Sequence, residues 1–170
     1  LQVISSLVRL QSAQVENPIV QATLRDMQNR IGSMALLHET LYRSSNFARI
    51  DLDVYLRTIC SQLYHSLVVD SECVQLHLDV ASVDLDVHQA PPCGLLINEL
   101  VSNCLKHAFP DGRAGEVWVQ GQLLDGGPEL RLRVADNGVG LPAGFELRQM
   151  RSLGMQLVSD LVGQIHGRLE

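Results

Sequence analysis

Two alternating runs flank a turn that leaves the backbone little choice. Val117-Trp118-Val119-Gln120-Gly121-Gln122-Leu123 and Leu130-Arg131-Leu132-Arg133-Val134 put apolar and polar side chains on opposite faces, and Asp125-Gly126-Gly127-Pro128 between them is rich in hairpin residues. Antiparallel strands with one buried face are predicted. The second run leads directly into Ala135-Asp136-Asn137-Gly138-Val139-Gly140-Leu141-Pro142, so a glycine-bearing loop is mounted on a strand end.

Val74-Gln75-Leu76-His77-Leu78-Asp79-Val80 alternates in the same way, and Val83 to Val87 reads as a short partner strand beside it. Ile50-Asp51-Leu52-Asp53, followed by Val54, Leu56, Ile59, Leu63 and Leu67, reads as a capped helix that opens a domain. Pro91 and Pro92 introduce a helix over 93–108, and a further helix is expected over 153–162. Helix, strands, helix, hairpin, loop and helix in that order predict an α+β fold, a two-layer α/β sandwich with helices on one face of a mixed sheet.

The first 48 residues follow a different pattern. Val3, Ile4, Leu7, Val8 and Leu10 recur at helical spacing, Asn17-Pro18 marks a turn, and Leu24, Met27, Ile31, Met34, Leu37 and Leu41 form a near-heptad stripe. A helical hairpin over 1–48 cannot bury two such stripes alone, and a four-helix bundle with a second copy solves this. The sandwich is assigned to 49–170. Leu1 begins inside a helical pattern without a cap, and 167–170 reads as the start of a strand, so further sequence is expected on both sides.

A formal charge of −6 and a pI near 5.4, with 13 scattered basic residues, argue against a nucleic-acid surface. Cys60, Cys73, Cys93 and Cys104 lack the paired spacing of a zinc site and read as reduced core residues of a cytosolic protein. No apolar run reaches the ~20 residues of a membrane span, so this segment is expected to make no membrane contact.

Three constellations carry possible chemistry. In Asn98-Glu99-Leu100-Val101-Ser102-Asn103-Cys104-Leu105-Lys106-His107-Ala108, helical spacing puts Glu99, Asn103 and Lys106 or His107 on one face, with Leu96, Leu100 and Cys104 toward the sheet. An amide oxygen suits a hard cation, a carboxylate can orient water, and a Lys can pair with phosphate. The same spacing suits an ordinary amphipathic helix with a solvated face. In the loop, Gly138 and Gly140 let the backbone approach a ligand, and Asp136 can accept from an exocyclic amine; a plain Asp-Asn-Gly turn is the alternative. Finally, Arg151-Ser152-Leu153-Gly154-Met155 enters a helix whose free N–H groups favour phosphate, or Ser152 simply caps it.

In order and spacing the three segments resemble the nucleotide pocket of the GHKL superfamily, shared by gyrase, a class of heat-shock chaperones, mismatch-repair ATPases and histidine kinases. The resemblance covers 51–170. Asn98 to His107 is similar to the N box, Asp136 to Gly140 to the first glycine box, and Leu153 to Leu157 to the second. Leu1-Gln2-Val3-Ile4-Ser5-Ser6-Leu7 and Met34-Ala35-Leu36-Leu37-His38-Glu39-Thr40-Leu41-Tyr42 resemble the hairpin of histidine kinases related to the HWE group, in which a segment H-x-x-K-N-N precedes Leu-Gln.

The resemblance implies ATP and Mg2+ as cofactors. Asn103 would bind the metal, Glu99 would hold water or act as base near the γ-phosphate, and Lys106 and His107 would face phosphate. Asp136, Gly138 and Gly140 would take adenine, while Leu153, Gly154 and Met155 would close over the phosphates. Ser152 stands where the second glycine box has its first Gly, which puts phosphate contact there in doubt. The acceptor histidine would lie upstream of Leu1, and His38 reads as a packing or capping residue, so the fragment is expected to bind ATP without autophosphorylating. A cytoplasmic protein-histidine kinase is implied, dimeric through its hairpin, with a response regulator as phosphoryl acceptor and the parent chain soluble or membrane-anchored. Two rivals stand beside it: a degenerate core serving as a phosphotransfer or dimerisation scaffold, opposed by the intact pocket residues, and a serine kinase of anti-sigma partners, opposed by the hairpin.

Overall fold

The computed structural model describes residues 6–8, 10–11, 15, 17, 20–21, 23–24, 27–28, 31–32, 35, 49–67, 73–124, 127–141 and 153–170. They fall into two units, Leu1–Phe47 and Ala48–Glu170. In the first, residues 6–8, 10–11, 20–21, 23–24, 27–28, 31–32 and 35 are helical. Gln21 N–H donates to the Asn17 carbonyl at 2.9 Å, and its side-chain amide reaches the Val15 carbonyl at 2.6 Å. Met34, Leu37 and Leu41 of the expected stripe, and His38 beside it, lie outside the described residues.

The second unit opens with strand β1 (Arg49–Asp51), which runs straight into helix α1 (Leu52–Leu67). Asp51 serves both elements. Its backbone pairs in β1, while its carboxylate accepts the Val54 N–H at 2.9 Å as a helix cap and the Ser82 hydroxyl. Those two donors, Ser82 first, hold its carboxyl below the usual range. The sequence pattern predicts the cap and misses the strand. The remaining elements are β2 (Val74–Val80), β3 (Asp84–Asp86), α2 (Ala90–Asn103), β4 (Gly115–Leu123), β5 (Leu130–Asp136) and α3 (Leu153–Gln164).

Strand pairing corrects one expectation: β3 pairs antiparallel with β1, not with β2. The partner of β2 is β4, in parallel, with Leu76 opposite Val117 and Leu78 opposite Val119. β4 in turn pairs antiparallel with β5, and Leu124 N–H donates to the Glu129 carbonyl at 2.8 Å beside their connection. The mixed sheet β2-β4-β5 has one apolar face, with Val74, Val117 and Val119 buried, and a polar one carrying His77, Trp118 and Arg133. On the apolar side a Cβ at Gly121 would meet Val80, Leu132 and the first residue of α1, Leu52. Helix α1 buries Leu52, Tyr55, Leu56, Ile59, Cys60 and Leu63.

Helix α2 starts on Pro91 and Pro92, which have no N–H groups to leave unpaired in the first turn. Its Leu96 and Leu100 pack against Val158, Leu161 and Met155 of α3 rather than against the sheet, which corrects the expected orientation. Cys104 does reach the sheet side, joining Val74, Val117, Val134 and Phe109.

Candidate functional site

The regular turn of α2 ends at Asn103, and Cys104–Ala108 winds as a wider π turn. The expected single polar face is therefore broken at its end. Glu99 is 4% exposed within α2, Asn103 is half-buried one turn later, and Lys106 and His107 stand exposed in the π turn.

The π turn ends where the glycine loop arrives. Val139 N–H donates to the Ala108 carbonyl at 2.9 Å. A Cβ on Gly138 would lie 2.5 Å from the Ala108 Cβ and 2.7 Å from its carbonyl carbon, so only glycine permits this approach. Gly140 has φ +73 with open space around it, a left-handed backbone that glycine adopts without strain. Asn137 ties the loop to β4: its side-chain oxygen accepts Glu116 N–H at 2.8 Å, and its own N–H donates to the Glu116 carbonyl at 3.2 Å.

Asp136 ends the row Leu130, Leu132, Val134 of β5 and lies opposite buried Val117. Strand alternation thus sends its carboxylate to the helix-covered face. Its Oδ1 accepts Gly138 N–H at 2.9 Å. Cys104 packs beside Val117, the cross-strand partner of Asp136, and burial, followed by the Asp136 carboxylate, pushes its thiol up to about 12. Sequence reasoning took Cys104 for a core residue, which its packing on the sheet cluster matches, and missed its place near Asp136. Its position immediately after Asn103 was the available signal.

On the other side of α2, Asn103 Nδ2 lies 4.0 Å from the Met155 Sδ of α3. Gly154 is buried in the first turn of α3. The backbone of Leu153 begins that helix, while its side chain and residues 142–152 lie outside the described set. The structure thus joins Asn103 to Met155 and Asp136 to Gly138, with the ends of α2 and β5 held together through Ala108. It leaves Lys106 and His107 at the solvent-facing rim.

A buried carboxylate, an amide and a glycine-lined approach to a strand-end aspartate form a donor set suited to a purine triphosphate with a hard cation. Among the described residues no three His, Cys, Asp or Glu side chains gather as a metal site. The Asn103 side chain carries an amide oxygen, a neutral donor of the kind a hard cation can use.

Comparisons with known proteins agree with this geometry. A family model described as histidine kinase matches residues 1–67, and one described as histidine kinase-, DNA gyrase B- and HSP90-like ATPase matches residues 89–170. Blue-light-activated histidine kinase 2 of Erythrobacter litoralis is 29% identical over 95% of this chain and 46% of its own length. The sensor histidine kinase PdtaS of Mycobacterium tuberculosis is 31% identical over 95% of this chain and 32% of its own. The chain therefore spans less than half the length of these curated relatives. Among solved structures, the Erythrobacter litoralis EL346 blue-light activated histidine kinase superposes with a TM-score of 0.74 at 26% identity, covering 97% of this chain and 55% of that one. The histidine kinase domain from the same protein gives 0.71 at 24% identity, covering 96% and 85%. With its two segments matched in order and its fold shared, the chain belongs to the histidine kinases of the GHKL ATPase superfamily, in the HWE-type group.

Proposed function

We propose that this chain is the ATP-binding catalytic core of a two-component sensor histidine kinase, which moves the γ-phosphoryl group of Mg-ATP to a histidine, from which a response-regulator aspartate receives it. One observation carries the reading: the Gly138 backbone lies against Ala108 so closely that no side chain fits, which draws the Asp136 strand end onto the end of the α2 segment bearing Asn103. Asp136 accepts from the exocyclic amine of a flat base, Gly138 holds the loop against Ala108 beside it, and Gly140, with open space around it, leaves room for the ring.

Asn103 would hold magnesium through its amide oxygen, a neutral ligand, and the cation supplies charge neutralisation to the phosphates. Glu99 orients water or acts as base near the γ-phosphate, Lys106 and His107 face phosphate, and the α3 entry at Leu153, Gly154 and Met155 offers N–H groups to it. Catalysis is mostly positioning and charge neutralisation. In the first unit, Leu7 and Leu10 are 57% and 63% exposed, apolar surface that the same hairpin of a second copy would cover. The acceptor histidine in this reading is none of the six present, so the 170-residue chain binds ATP without phosphorylating itself. The reading assigns the chain to the cytoplasm, in a soluble or anchored parent; among the described residues no helix is long and apolar enough to cross a membrane.

Calorimetric titration of ATP with magnesium into the chain, beside Asn103→Asp and Asp136→Asn, tests the assignment. Binding by the parent chain that both variants lose is expected. A folded parent chain that binds no nucleotide sinks the catalytic reading in favour of a degenerate scaffold.

A further inference from the structure

The ladder between β4 and β5 closes on a rung made by a side chain. In an antiparallel pair, facing residues alternate between couples that exchange both N–H···O bonds and couples that exchange none. Leu124 N–H donates to the Glu129 carbonyl, and the same register makes Glu116 and Asn137, one step beyond Val117 and Asp136, a couple of the exchanging kind. Asn137 N–H does donate to the Glu116 carbonyl at 3.2 Å. The return bond, from Glu116 N–H, goes to Asn137 Oδ1 at 2.8 Å, so a side-chain oxygen stands where a main-chain carbonyl belongs. Released from the ladder, the Asn137 main-chain carbonyl lies 3.5 Å from the Arg113 guanidinium. The side-chain oxygen also needs room, which Gly115 provides: a Cβ there would lie 2.7 Å from Oδ1 and would strike the Phe109 ring.

A side-chain carbonyl sits one bond further from Cα than the main-chain carbonyl, so the backbone can leave the sheet while the rung stays made. The effect falls on the residues to either side. β5 ends at Asp136, and the chain turns at once to seat Gly138 on Ala108, where Gly138 N–H meets Asp136 Oδ1 at 2.9 Å. We propose that Asn137 is a positioning residue of the nucleotide site: by taking over the last rung with its side-chain oxygen, it ends β5 at Asp136 and holds that carboxylate where it selects purines bearing an exocyclic amine at C6. The inference rests on the assignment of Asp136 to adenine. Aspartate at this position keeps an acceptor at the same reach, glutamine carries the amide one methylene too far, and alanine removes it.

The test compares ATP with purine riboside triphosphate, which lacks the C6 amine, by magnesium-supported calorimetric titration into the 170-residue chain and its Asn137→Ala, Asn137→Gln and Asn137→Asp variants. The readout is the ratio of the two affinities, in which a uniform loss from altered stability or from the added aspartate charge cancels. The wild type is expected to prefer ATP. Asn137→Ala and Asn137→Gln should each lower that preference about fivefold, the size of one lost hydrogen bond, and Asn137→Asp should keep it within about twofold. Should the alanine variant fail to fold, the glutamine variant decides. A folded Ala or Gln variant that keeps the full preference, or an Asp variant that loses it equally, overturns the positioning role while the adenine assignment stands. A wild type that binds both nucleotides equally overturns that assignment, and one that binds neither overturns the kinase reading, the inference falling with each. Amide exchange followed by NMR gives a second readout that needs no nucleotide. The Glu116 amide should be protected in the wild type and in Asn137→Asp and should exchange faster in Asn137→Gln; free exchange in the wild type would overturn the proposal.

Discussion

Asn103 on α2 donates its side-chain N–H to the Met155 sulfur on α3 at 4.0 Å, so the side chain proposed above as the magnesium ligand also ties two helices together. A thioether accepts and never donates, which selects the nitrogen side of the amide and turns Oδ1 toward other partners. The bond itself is weak. Met155 also packs on the Leu96–Val158–Leu161 cluster, and packing dominates its energetics.

Met155→Ala should therefore cost about 1–2 kcal/mol, toward the low end for Met→Ala because the side chain is only half-buried, and lower Tm by roughly 3–8 °C. Met155→Leu refills the volume without an acceptor. Its Tm should stay within about 2 °C of wild type, while its Mg-ATP affinity falls about twofold as Asn103 loses its tether. Thermal melts and titrations on the two variants separate packing from orientation. A Leu variant as unstable as the Ala variant would refute the packing account.

The two loop glycines predict opposite sensitivities. A Cβ at Gly138 runs into the backbone of Ala108, which cannot rotate away, so Gly138→Ala must push the loop off the π turn that follows α2. Loss of Val139's bond to Ala108 and of nucleotide binding should accompany a Tm drop of many degrees. Around Gly140 there is space, and only its φ of +73 resists a side chain. Gly140→Ala should cost about 1–2 kcal/mol and Gly140→Asn less, because Asn tolerates that backbone region. If Gly138→Ala melts like Gly140→Ala, the close approach of loop to helix is wrong.

The strands and the position of Asp136 at the end of β5 were legible because alternation is a local signal, carried by each residue's neighbours. β1 was not, since three residues give no period, and the long-range pairing Ile50 with Leu85 defines it. The π turn was also hidden. Cys104-Leu105-Lys106-His107-Ala108 contains nothing that breaks a helix, and the Ala108 carbonyl at its end is taken by Val139, 31 positions away, as a tertiary demand. For the same reason the i, i+7 spacing from Glu99 to Lys106 overstated their alignment. The orientation of Leu96 and Leu100 toward α3 depended on where a later helix docks, which the α2 sequence does not encode.

Alkaline pH should destabilise the second unit. Burial pushes the thiol of Cys60 up to about 12 and that of Cys93 up to about 11, from an ordinary value of 9.0. Above pH 9 the unfolded chain gives up protons that the folded chain keeps, so the unfolded state binds fewer and stability falls as pH rises. The slope approaches about 1.4 kcal/mol per pH unit for each thiol until its folded value is reached. Below pH 9 these groups contribute no pH dependence. Urea midpoints should be level from pH 7 to 8.5 and fall steeply between pH 9 and 11, and Cys60→Ala, though weaker at pH 8, should show the shallower fall. A midpoint as high at pH 10.5 as at pH 8 would contradict the burial of these thiols.

Tyr55 tests whether α1 supports the site without taking part in it. Its hydroxyl donates to the Ala90 carbonyl at 3.0 Å, fastening α1 to the first residue of α2, and the side chain is 1% exposed. Burial, with Cys93 nearby, pushes the phenol's ionisation up, so it remains a donor across the working pH range. Tyr55→Phe keeps the ring and leaves one carbonyl lone pair unsatisfied, a cost of about 1 kcal/mol or a Tm lower by roughly 3–6 °C. Ala90 and Asn103 lie at opposite ends of a 14-residue helix, about 20 Å apart at 1.5 Å per residue. Mg-ATP affinity should accordingly stay within twofold of wild type. A variant with unchanged Tm but much weaker nucleotide binding would mean that the start of α2 communicates with its end, and that α1 belongs to the site rather than beneath it.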